Sequence, residues 1–459
     1  MELTQLSISQ VQTGLKKKKF SSVELVNSSL EKIKKNNPKI NAFLTVCEKE
    51  ALVEAAQADK EINKIDKPLL GIPIAVKDIF CTKGIRTTAA ARVLENYVPV
   101  YDATAVKKLK EAGAIIIGKT NLDAWAHGSS GENSDFGPTQ NPWNKNYVPG
   151  GSSSGSAAAM AAQMAFGALG TDTGGSIRLP ASFCGVLGLK PTYGRISRYG
   201  VIAMASSLDT VGCFGKEVRD LAILLEVMAG HDEYDATTPK QAVPNYQQNL
   251  DKKKPKLKIG LPKEYFSQGL EKKVEEKIRE AIKKLEKQGI EMIEVSLPHT
   301  PYALAVYYLI QPSEVSSNLA RYDGLRYGFD RTFFSDEAKR RIMLGTYALS
   351  AGYYEAYYLK AMKVRTLIKK DFEEVFKKVD LLLTPVSPTL PFKIGEKTAD
   401  PLKMYLSDIY TVTANLAGIP GLAIPAGLVD GLPVGFQFLG PQFSEELLFQ
   451  VAYQYEQLV

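Results

Sequence analysis

Hydrophobic positions recur with the helical period in one long stretch of the chain, residues 270–289. Apolar residues return there every three or four positions, charged residues occupy the other faces, and Gly289 ends the pattern. Short apolar runs near Ile259 and Ile293 flank this stretch. We therefore predict a strand, a helix and a second strand in this part of the chain.

A similar arrangement is predicted nearer the amino terminus. The apolar run that starts near Leu69 ends in a charged residue, Lys77, as expected for a buried strand that delivers a side chain at its end. Residues 103–112 have a helical pattern that Gly113 ends, and residues 114–117 are all apolar. This order implies a βαβ unit and a parallel sheet.

Further elements follow from shorter patterns. Strands are predicted at residues 381–383, 422–425 and 434–439, the last two joined by a hairpin turn at Asp430 and Gly431. The alanine- and methionine-rich residues 157–168 predict a helix that is packed on every side, and a helix is also predicted at residues 445–458.

The length and composition fit one large α/β unit. The chain has 459 residues, of which 45% are hydrophobic and 23% charged, the usual balance for a globular protein. We predict a single domain over residues 1–459, with helices over about 1–65 and the core over about 66–459.

Charge and cysteine content exclude some function classes. The formal net charge of +7 comes from lysines without interleaved aromatic residues, which indicates solvated surface rather than a nucleic-acid site. The four cysteines lack metal-ligand spacing, and the amino terminus lacks the pattern of an export signal. No apolar run reaches membrane-spanning length. We therefore expect reduced thiols, a cytoplasmic protein and no association with a membrane.

Two loops rich in glycine and serine, residues 150–156 and 170–176, are the candidate chemical centre. Glycines let backbone N–H groups approach a substrate oxygen, and Ser176 is a candidate nucleophile for amide hydrolysis. An ordinary surface loop and an anion-binding loop are competing interpretations of these stretches. The first loop lacks the Gly-Lys-Ser/Thr ending of a P-loop, so a nucleotide site is disfavoured.

A serine nucleophile needs a base. The chain has three histidines, and none occurs in a pattern that links it to the serines. Lys77 can act instead if burial keeps its amine neutral, although an ion-paired or surface-reaching lysine is the alternative interpretation.

Lys77, the Gly-Gly-Ser-Ser-Ser-Gly-Ser run and the Gly-Thr-Asp-Thr-Gly-Gly-Ser-Ile-Arg run together resemble the amidase signature family over essentially the whole chain. The resemblance implies the amidase signature fold, a large mixed and mostly parallel sheet surrounded by helices. It also implies a catalytic set of Ser176, Ser152 and Lys77, with a cis peptide bond between Gly151 and Ser152.

The same resemblance implies how the loops work. Lys77 would take a proton from Ser152, which would take one from Ser176 as the latter attacks a carbonyl carbon. Asp172 and Arg178 would brace the loop. The backbone N–H groups implied for the oxyanion hole are those of Thr173, Gly174, Gly175 and Ser176.

Residues 316–324, 340–346 and 350–354 are similar to the glutamine-hydrolysing component of tRNA-dependent amidotransferases. The similarity implies that glutamine is the substrate. Arg341 would bind its α-carboxylate and Asp408 its α-ammonium group, with Tyr307 as a further contact. A zwitterion requires one cation and one anion at a fixed separation, and arginine can hold a carboxylate with two hydrogen bonds.

The similarity also implies partners. Subunits B and C would complete the enzyme, ATP and Mg would bind at a partner chain and not to this one, and mischarged tRNA, Glu-tRNA(Gln) or Asp-tRNA(Asn) or both, would be reached through the complex. Two other functions stay open on the residues alone: a stand-alone amidase acting on another carboxylic amide, and a noncatalytic binding or assembly component.

Overall fold

An eleven-stranded sheet runs through the computed structural model of the chain, which describes residues 2–252, 254, 256–267, 269–325 and 328–459. The order of the strands across the sheet is β1-β3-β2-β4-β6-β5-β10-β11-β9-β7-β8. The strands are β1 Phe43–Val46, β2 Pro73–Lys77, β3 Ile115–Thr120, β4 Gly167–Thr171, β5 Leu187–Lys190, β6 Val211–Gly215, β7 Lys258–Pro262, β8 Glu291–Val295, β9 Leu381–Pro385, β10 Gly421–Val429 and β11 Leu432–Leu439.

The predicted α/β class and large mixed sheet are confirmed, but the sheet is less parallel than predicted. Across the described residues, β3, β2 and β4 pair in parallel, as do β9, β7 and β8, whereas the other six pairings are antiparallel. The physical reason lies in the connections. β10 and β11 are joined by the tight turn predicted at Asp430 and Gly431, and such a short turn can join only antiparallel strands.

Helices pack around this sheet. Their bounds are α1 Ile8–Lys16, α2 Ser22–Ile40, α3 Glu48–Glu61, α4 Thr104–Glu111, α5 Ser154–Ala161, α6 Arg178–Cys184, α7 Val218–Met228, α8 Lys272–Glu286, α9 Ala303–Asn318, α10 Asp336–Ala348, α11 Lys360–Val375, α12 Pro401–Tyr405, α13 Val412–Ala417 and α14 Glu445–Glu456. The predicted units around α4 and α8 are confirmed, because β2 pairs in parallel with β3 and β7 with β8.

The helix predicted at residues 157–168 was wrong at both ends. It begins earlier, at Ser154, and ends at Ala161, and the chain then turns through Gln163, whose φ is 57°. Gly167 and Ala168 belong instead to β4, which pairs with β2. An alanine-rich run is compatible with a helix and with a buried strand, so its composition does not mark the boundary.

The strands that carry the candidate chemistry are buried along their whole length. Every residue of β2, β3 and β4 is buried. β2 and β4 are parallel neighbours, so Lys77 and Thr171, their last residues, emerge at the same edge of the sheet. In the part of the chain that the structure describes, no helix combines the length and apolar character needed to cross a membrane.

Candidate active site

Lys77 lies at the centre of the candidate site. Its side chain is fully buried, and its Nζ atom lies 2.8 Å from Ser152 Oγ and 2.8 Å from Thr171 Oγ1. An amine held between two hydroxyls can donate to one and accept from the other when it is neutral. The contact with Thr171 was not predicted from the sequence. It is a consequence of the parallel pairing of β2 with β4, which brings the ends of the two strands together.

The electrostatic environment of Lys77 favours the neutral form. Burial lowers the pKa of its ammonium group to about 7, although the nearby carboxylates of Asp123, Asp172 and Asp209 act in the opposite direction. Desolvation penalises the charged form of any amine, which is the usual route by which lysine becomes a base near neutral pH.

Ser152 is held by backbone contacts on both sides. The peptide bond between Gly151 and Ser152 is cis, as predicted. The Gly151 N–H group donates to the Ser129 carbonyl at 2.8 Å, and the Asp123 N–H group donates to the Ser152 carbonyl at 3.2 Å. A Cβ atom at Gly151 would collide with the Asp123 carboxylate, so this position requires glycine.

Ser176 precedes α6 on the neighbouring loop, and 7% of its surface is exposed. Its carbonyl accepts the N–H group of Ser153 at 3.1 Å, which ties the two serine-bearing loops together. The three predicted residues therefore lie on adjoining segments, with Lys77 and Ser152 in direct contact.

Asp172 and Arg178 brace the Ser176 loop as predicted. Two guanidinium nitrogens of Arg178 donate to the two carboxylate oxygens of Asp172, each at 3.0 Å, and both side chains are fully buried. Burial alone would raise the pKa of Asp172, but the charge and hydrogen bonds of Arg178, with smaller effects of Lys190 and Asn415, together bring the pKa down to about 2. Arg178 also donates to the Asn415 side chain at 2.7 Å and to the Gln437 side chain at 2.8 Å.

One of the four predicted oxyanion donors is already in use. The N–H group of Gly175 donates to Asp172 Oδ1 at 2.9 Å, because the carboxylate folds under the loop. Within the described residues, the N–H groups of Thr173, Gly174 and Ser176 have no protein acceptor. In this described part of the chain these three N–H groups are therefore free of protein acceptors, whereas the Gly175 N–H group, the fourth predicted donor, is engaged by the Asp172 carboxylate.

The side chains around this loop fix its shape. Thr173 donates its hydroxyl proton to Asp209 Oδ1 at 2.7 Å, and Thr411 donates to the Gly174 carbonyl at 2.5 Å. Asp209 also accepts two backbone N–H groups, and burial raises the pKa of its carboxyl to about 6. Neither Asp209 nor Thr411 was predicted, because no local pattern links them to the loop.

Arg341 lies on α10 beside a cavity of about 210 Å³. Its side chain is 3% exposed, donates from Nε to Glu337 at 2.8 Å and from one terminal nitrogen to Gln311 at 2.9 Å. The guanidinium also stacks near the rings of Tyr308 and Tyr405. A planar cation bordered by two aromatic rings is well arranged to hold a carboxylate.

Asp408 is buried close to Arg341. Its Oδ2 atom accepts hydrogen bonds from Ser129 at 2.7 Å and from the hydroxyl of Tyr308 at 3.0 Å. Burial raises the pKa of this carboxyl to about 6, while the two hydrogen bonds and the Arg341 charge oppose the shift. Tyr308 thus contacts both the Arg341 cation and the Asp408 carboxylate.

Tyr307 lies near the charged pair of Arg341 and Asp408. Burial raises the pKa of its hydroxyl, and both of these charges also influence this pKa. It is buried, and its hydroxyl lies against Gly174, where a Cβ atom would approach to within 2.6 Å. Tyr308, the next residue, contacts both Asp408 and the Arg341 guanidinium. The sequence prediction missed Tyr308, and the adjacent pair of tyrosines was the only signal for it.

The histidines do not supply a base to the two serines. His299 pairs with Asp371, His231 contacts the Thr238 carbonyl, and in the described residues no histidine is hydrogen-bonded to Ser152 or Ser176. The described side chains contain no group of three or more His, Cys, Asp or Glu residues arranged to hold a metal ion.

Comparisons with known proteins agree with this geometry. The model of the amidase family matches residues 24–449. Two similar relatives are the glutamyl-tRNA(Gln) amidotransferase A chains of Geobacter metallireducens and Carboxydothermus hydrogenoformans. Each is 56% identical to this chain, over 100% of this chain and 98% of the relative.

Solved structures share the fold. The corresponding glutamyl-tRNA(Gln) amidotransferase chain of Thermotoga maritima is 45% identical, with a TM-score of 0.85 over 98% of this chain and 94% of the other. A peptide amidase from Stenotrophomonas maltophilia is 30% identical, with a TM-score of 0.84 over 98% and 96%. The matched residues include Lys77 and both serine-bearing loops, so this chain belongs to the amidase signature family.

Proposed function

We propose that this chain hydrolyses glutamine to glutamate and ammonia, with Ser176 as nucleophile, Ser152 as proton relay and Lys77 as base. The observation that carries the proposal is the buried contact of 2.8 Å between Lys77 Nζ and Ser152 Oγ, together with the charged pair of Arg341 and Asp408, both of which Tyr308 contacts. The Lys77–Ser152 contact supplies the chemistry of amide hydrolysis. The charges of Arg341 and Asp408 select an amide that carries a zwitterionic amino acid group.

The reaction begins when Ser176 Oγ attacks the side-chain amide carbon of glutamine. The proton of Ser176 passes to Ser152, whose own proton passes to the neutral amine of Lys77. The carbonyl oxygen becomes an oxyanion that accepts hydrogen bonds from the N–H groups of Thr173, Gly174 and Ser176.

Collapse of this intermediate breaks the carbon–nitrogen bond. The proton held by Lys77 returns through Ser152 to the departing nitrogen, which leaves as ammonia. A water molecule then attacks the acyl carbon and gives a proton to the same relay, which passes it to Ser176 Oγ as the carbon–oxygen bond breaks and glutamate leaves. Each proton taken up by Lys77 is returned within one turnover, so no external acid is consumed.

Arg341 and Asp408 are proposed to bind the two ends of the amino acid head. The guanidinium would hold the α-carboxylate, and the Asp408 carboxylate would hold the α-ammonium group. Tyr308 would orient both, since its hydroxyl bonds to Asp408 and its ring lies under the guanidinium. Tyr307 would be a further contact to the substrate, on the side of Gly174.

We further propose that the ammonia is used by partner subunits B and C. In this proposal ATP and Mg bind to a partner chain, which amidates Glu-tRNA(Gln), Asp-tRNA(Asn) or both. The two bacterial relatives are each named as one component of an amidotransferase, which supports a multi-subunit enzyme. The free thiols of all four cysteines fit a reducing compartment, and we place the protein in the cytoplasm.

An exposed aromatic surface on this chain fits a protein partner. Residues 343–359 contain a single charged residue, Glu355, although charged residues make up 23% of the whole chain. Protein interfaces are enriched in tyrosine and methionine and depleted of charge in this way. The exposed side chains, here called the tyrosine patch, are Met343, Leu344, Tyr347, Tyr353, Tyr354 and Tyr357.

One sheet extends from Phe43 to Leu439. This continuity supports the proposal that residues 1–459 form one amidase domain, with amino-terminal helices over about 1–65.

The test of the function is Ser176→Ala in the full chain, purified with the subunits that accompany it. The variant should lose glutamine-dependent amidation of mischarged tRNA, while added ammonium chloride still supports the reaction. Persistence of the glutamine-dependent reaction would show that Ser176 is not the nucleophile. A stand-alone amidase would instead turn over without any partner and would retain its activity in Arg341→Ala.

A further inference from the structure

A strained backbone segment lies beside the substrate pocket. Trp125 and Ala126 have φ angles of 58° and 62°, a left-handed conformation that side-chain-bearing residues rarely adopt in succession. The following Gly128 lines the same cavity as Arg341. Strain of this kind persists where the surrounding structure fixes it, often next to a ligand site. The residue that this segment delivers is His127.

His127 is buried without the partners that a buried imidazole requires. No part of its surface is exposed, and neither ring nitrogen has a hydrogen-bond partner within the described residues. A neutral imidazole has one N–H donor and one acceptor nitrogen, and burial of both without partners costs stability. Burial and the nearby Arg341 charge hold the pKa of the imidazole well below its usual range, so the ring is neutral.

Gln311, on α9, contacts Arg341 and carries another polar group that is unpartnered in the described chain, its amide nitrogen. Its Oε1 atom accepts from Arg341 at 2.9 Å, whereas its amide nitrogen Nε2 is buried and has no partner among the described residues. His127 and Gln311 come from distant parts of the chain, and the charge of Arg341 acts on both. One unused donor thus belongs to a side chain bonded to the guanidinium and the other to the residue before Gly128 of the Arg341 cavity, which indicates a site for a ligand that accepts several hydrogen bonds.

We propose that His127 and Gln311 complete the carboxylate end of the substrate pocket. When Arg341 holds the carboxylate, the imidazole N–H and the Gln311 amide N–H donate to its oxygens. A carboxylate has about four acceptor positions, more than the guanidinium alone can fill. The inference rests on the proposed glutamine hydrolysis and makes both residues determinants of substrate affinity, not of the chemical step.

The test compares His127→Met with its parent in the full chain purified with its accompanying subunits. Methionine is of similar length and lacks a strong hydrogen-bonding group. The KM for glutamine should rise about tenfold or more, with kcat changed less than twofold, because the contact is made equally in the ground state and the transition state. His127→Gln, which keeps a donor and an acceptor, should recover most of the affinity. Gln311→Met should raise KM as well.

Thermal melting without glutamine gives a readout that a structural role would not produce. His127→Met removes two unsatisfied buried atoms, so its Tm should equal or exceed that of the parent. His231→Met is the control and should leave KM unchanged, because the His231 ring contacts the Thr238 carbonyl and does not line the Arg341 cavity.

Two results would overturn the inference: a glutamine KM within twofold of the parent in His127→Met, or a clear fall in its Tm, which would reveal a structural partner for the ring. A parent enzyme that hydrolyses no glutamine would refute the proposed function itself, and the inference with it. A parent that hydrolyses glutamine, with an unchanged His127→Met, would refute the inference alone.

Discussion

Thr173 donates its hydroxyl proton to the buried carboxylate of Asp209, with 2.7 Å between the two oxygen atoms. This contact fixes the side chain of the first residue whose N–H group is available to the oxyanion. It connects the candidate oxyanion hole to the loop before β6. In that loop the N–H groups of Met204 and Ala205 donate to the same Asp209 carboxylate.

Removing that hydroxyl should slow the chemical step. Thr173→Val keeps the shape of the side chain but removes the hydroxyl donor of Asp209, which retains its two backbone donors, so we expect kcat to fall roughly tenfold or more, with KM little changed. Thr173→Ser keeps the hydroxyl and is the matched control. Steady-state glutamine hydrolysis measures both. Equal kcat values for the valine and serine variants would contradict a role for the contact.

The rate should depend on the protonation of Lys77. Its pKa of about 7 means that the ammonium form predominates below pH 7 and cannot accept a proton from Ser152. We therefore expect kcat for glutamine to rise about tenfold per pH unit below about 7 and to level off above it. Ammonia release measured from pH 5.5 to 9 tests this. A flat profile between pH 6 and 8 would exclude Lys77 as the titrating base.

The KM for glutamine should depend on pH through a different group, Asp408. Burial raises the pKa of Asp408 to about 6, and only its ionised form attracts an ammonium group. The KM for glutamine should therefore increase as pH falls below about 6. Asp408→Asn should raise KM at neutral pH and abolish the rise of KM below about pH 6. If the variant retained the parental pH dependence of KM, another group would be responsible.

Loss of the buried brace should destabilise the fold. Arg178→Met leaves the Asp172 carboxylate buried without its counter-charge, which costs about 3 to 5 kcal/mol of unfolding free energy. Arg279→Met breaks the pair with Glu275, in which the Arg279 side chain is 51% exposed, and should cost less than about 1 kcal/mol. Urea denaturation compares the two. A similar cost for both variants would mean that the Asp172 charge is stabilised by other groups.

The tyrosine patch should be required for assembly. Tyr353→Lys places a charge in this surface, where 40% of the native side chain is exposed, so the chain itself should fold normally. We expect co-purification of the accompanying subunits to fall strongly while the Tm of the isolated chain stays within a few degrees. Tyr234→Lys, at a tyrosine that is 74% exposed elsewhere, is the control. Undiminished co-purification of the Tyr353 variant would remove this surface from the interface.

Sequence patterns predicted the elements whose periodicity is strong. α8 repeats its apolar face over fifteen residues, and β2 ends in a lysine, so both were found. The antiparallel pairing in the centre of the sheet was not predicted, because strand direction depends on which distant segments of the chain pair with each other.

The same limit applies within the site. Ser129 and Asp408 are 279 residues apart in the chain, and no local pattern joins them. Tyr307 and Tyr308 differ by about 100° around α9, and apolar residues occur on most faces of that helix. The sequence pattern therefore did not reveal which tyrosine meets Asp408. The use of the Gly175 N–H group by Asp172 likewise depends on a loop conformation that glycine permits but does not specify.

Strand β4 has a distinct neighbour on each side, parallel β2 and antiparallel β6. Because β2 and β4 are parallel, both strands end at the same edge of the sheet, where Lys77 and the loop after β4 emerge side by side. That loop carries Ser176, so the candidate base and the candidate nucleophile leave the sheet at one edge. The location of catalysis is thus a property of the topology, and substitutions in the pocket wall can alter which amide is accepted without moving the place where it is cleaved.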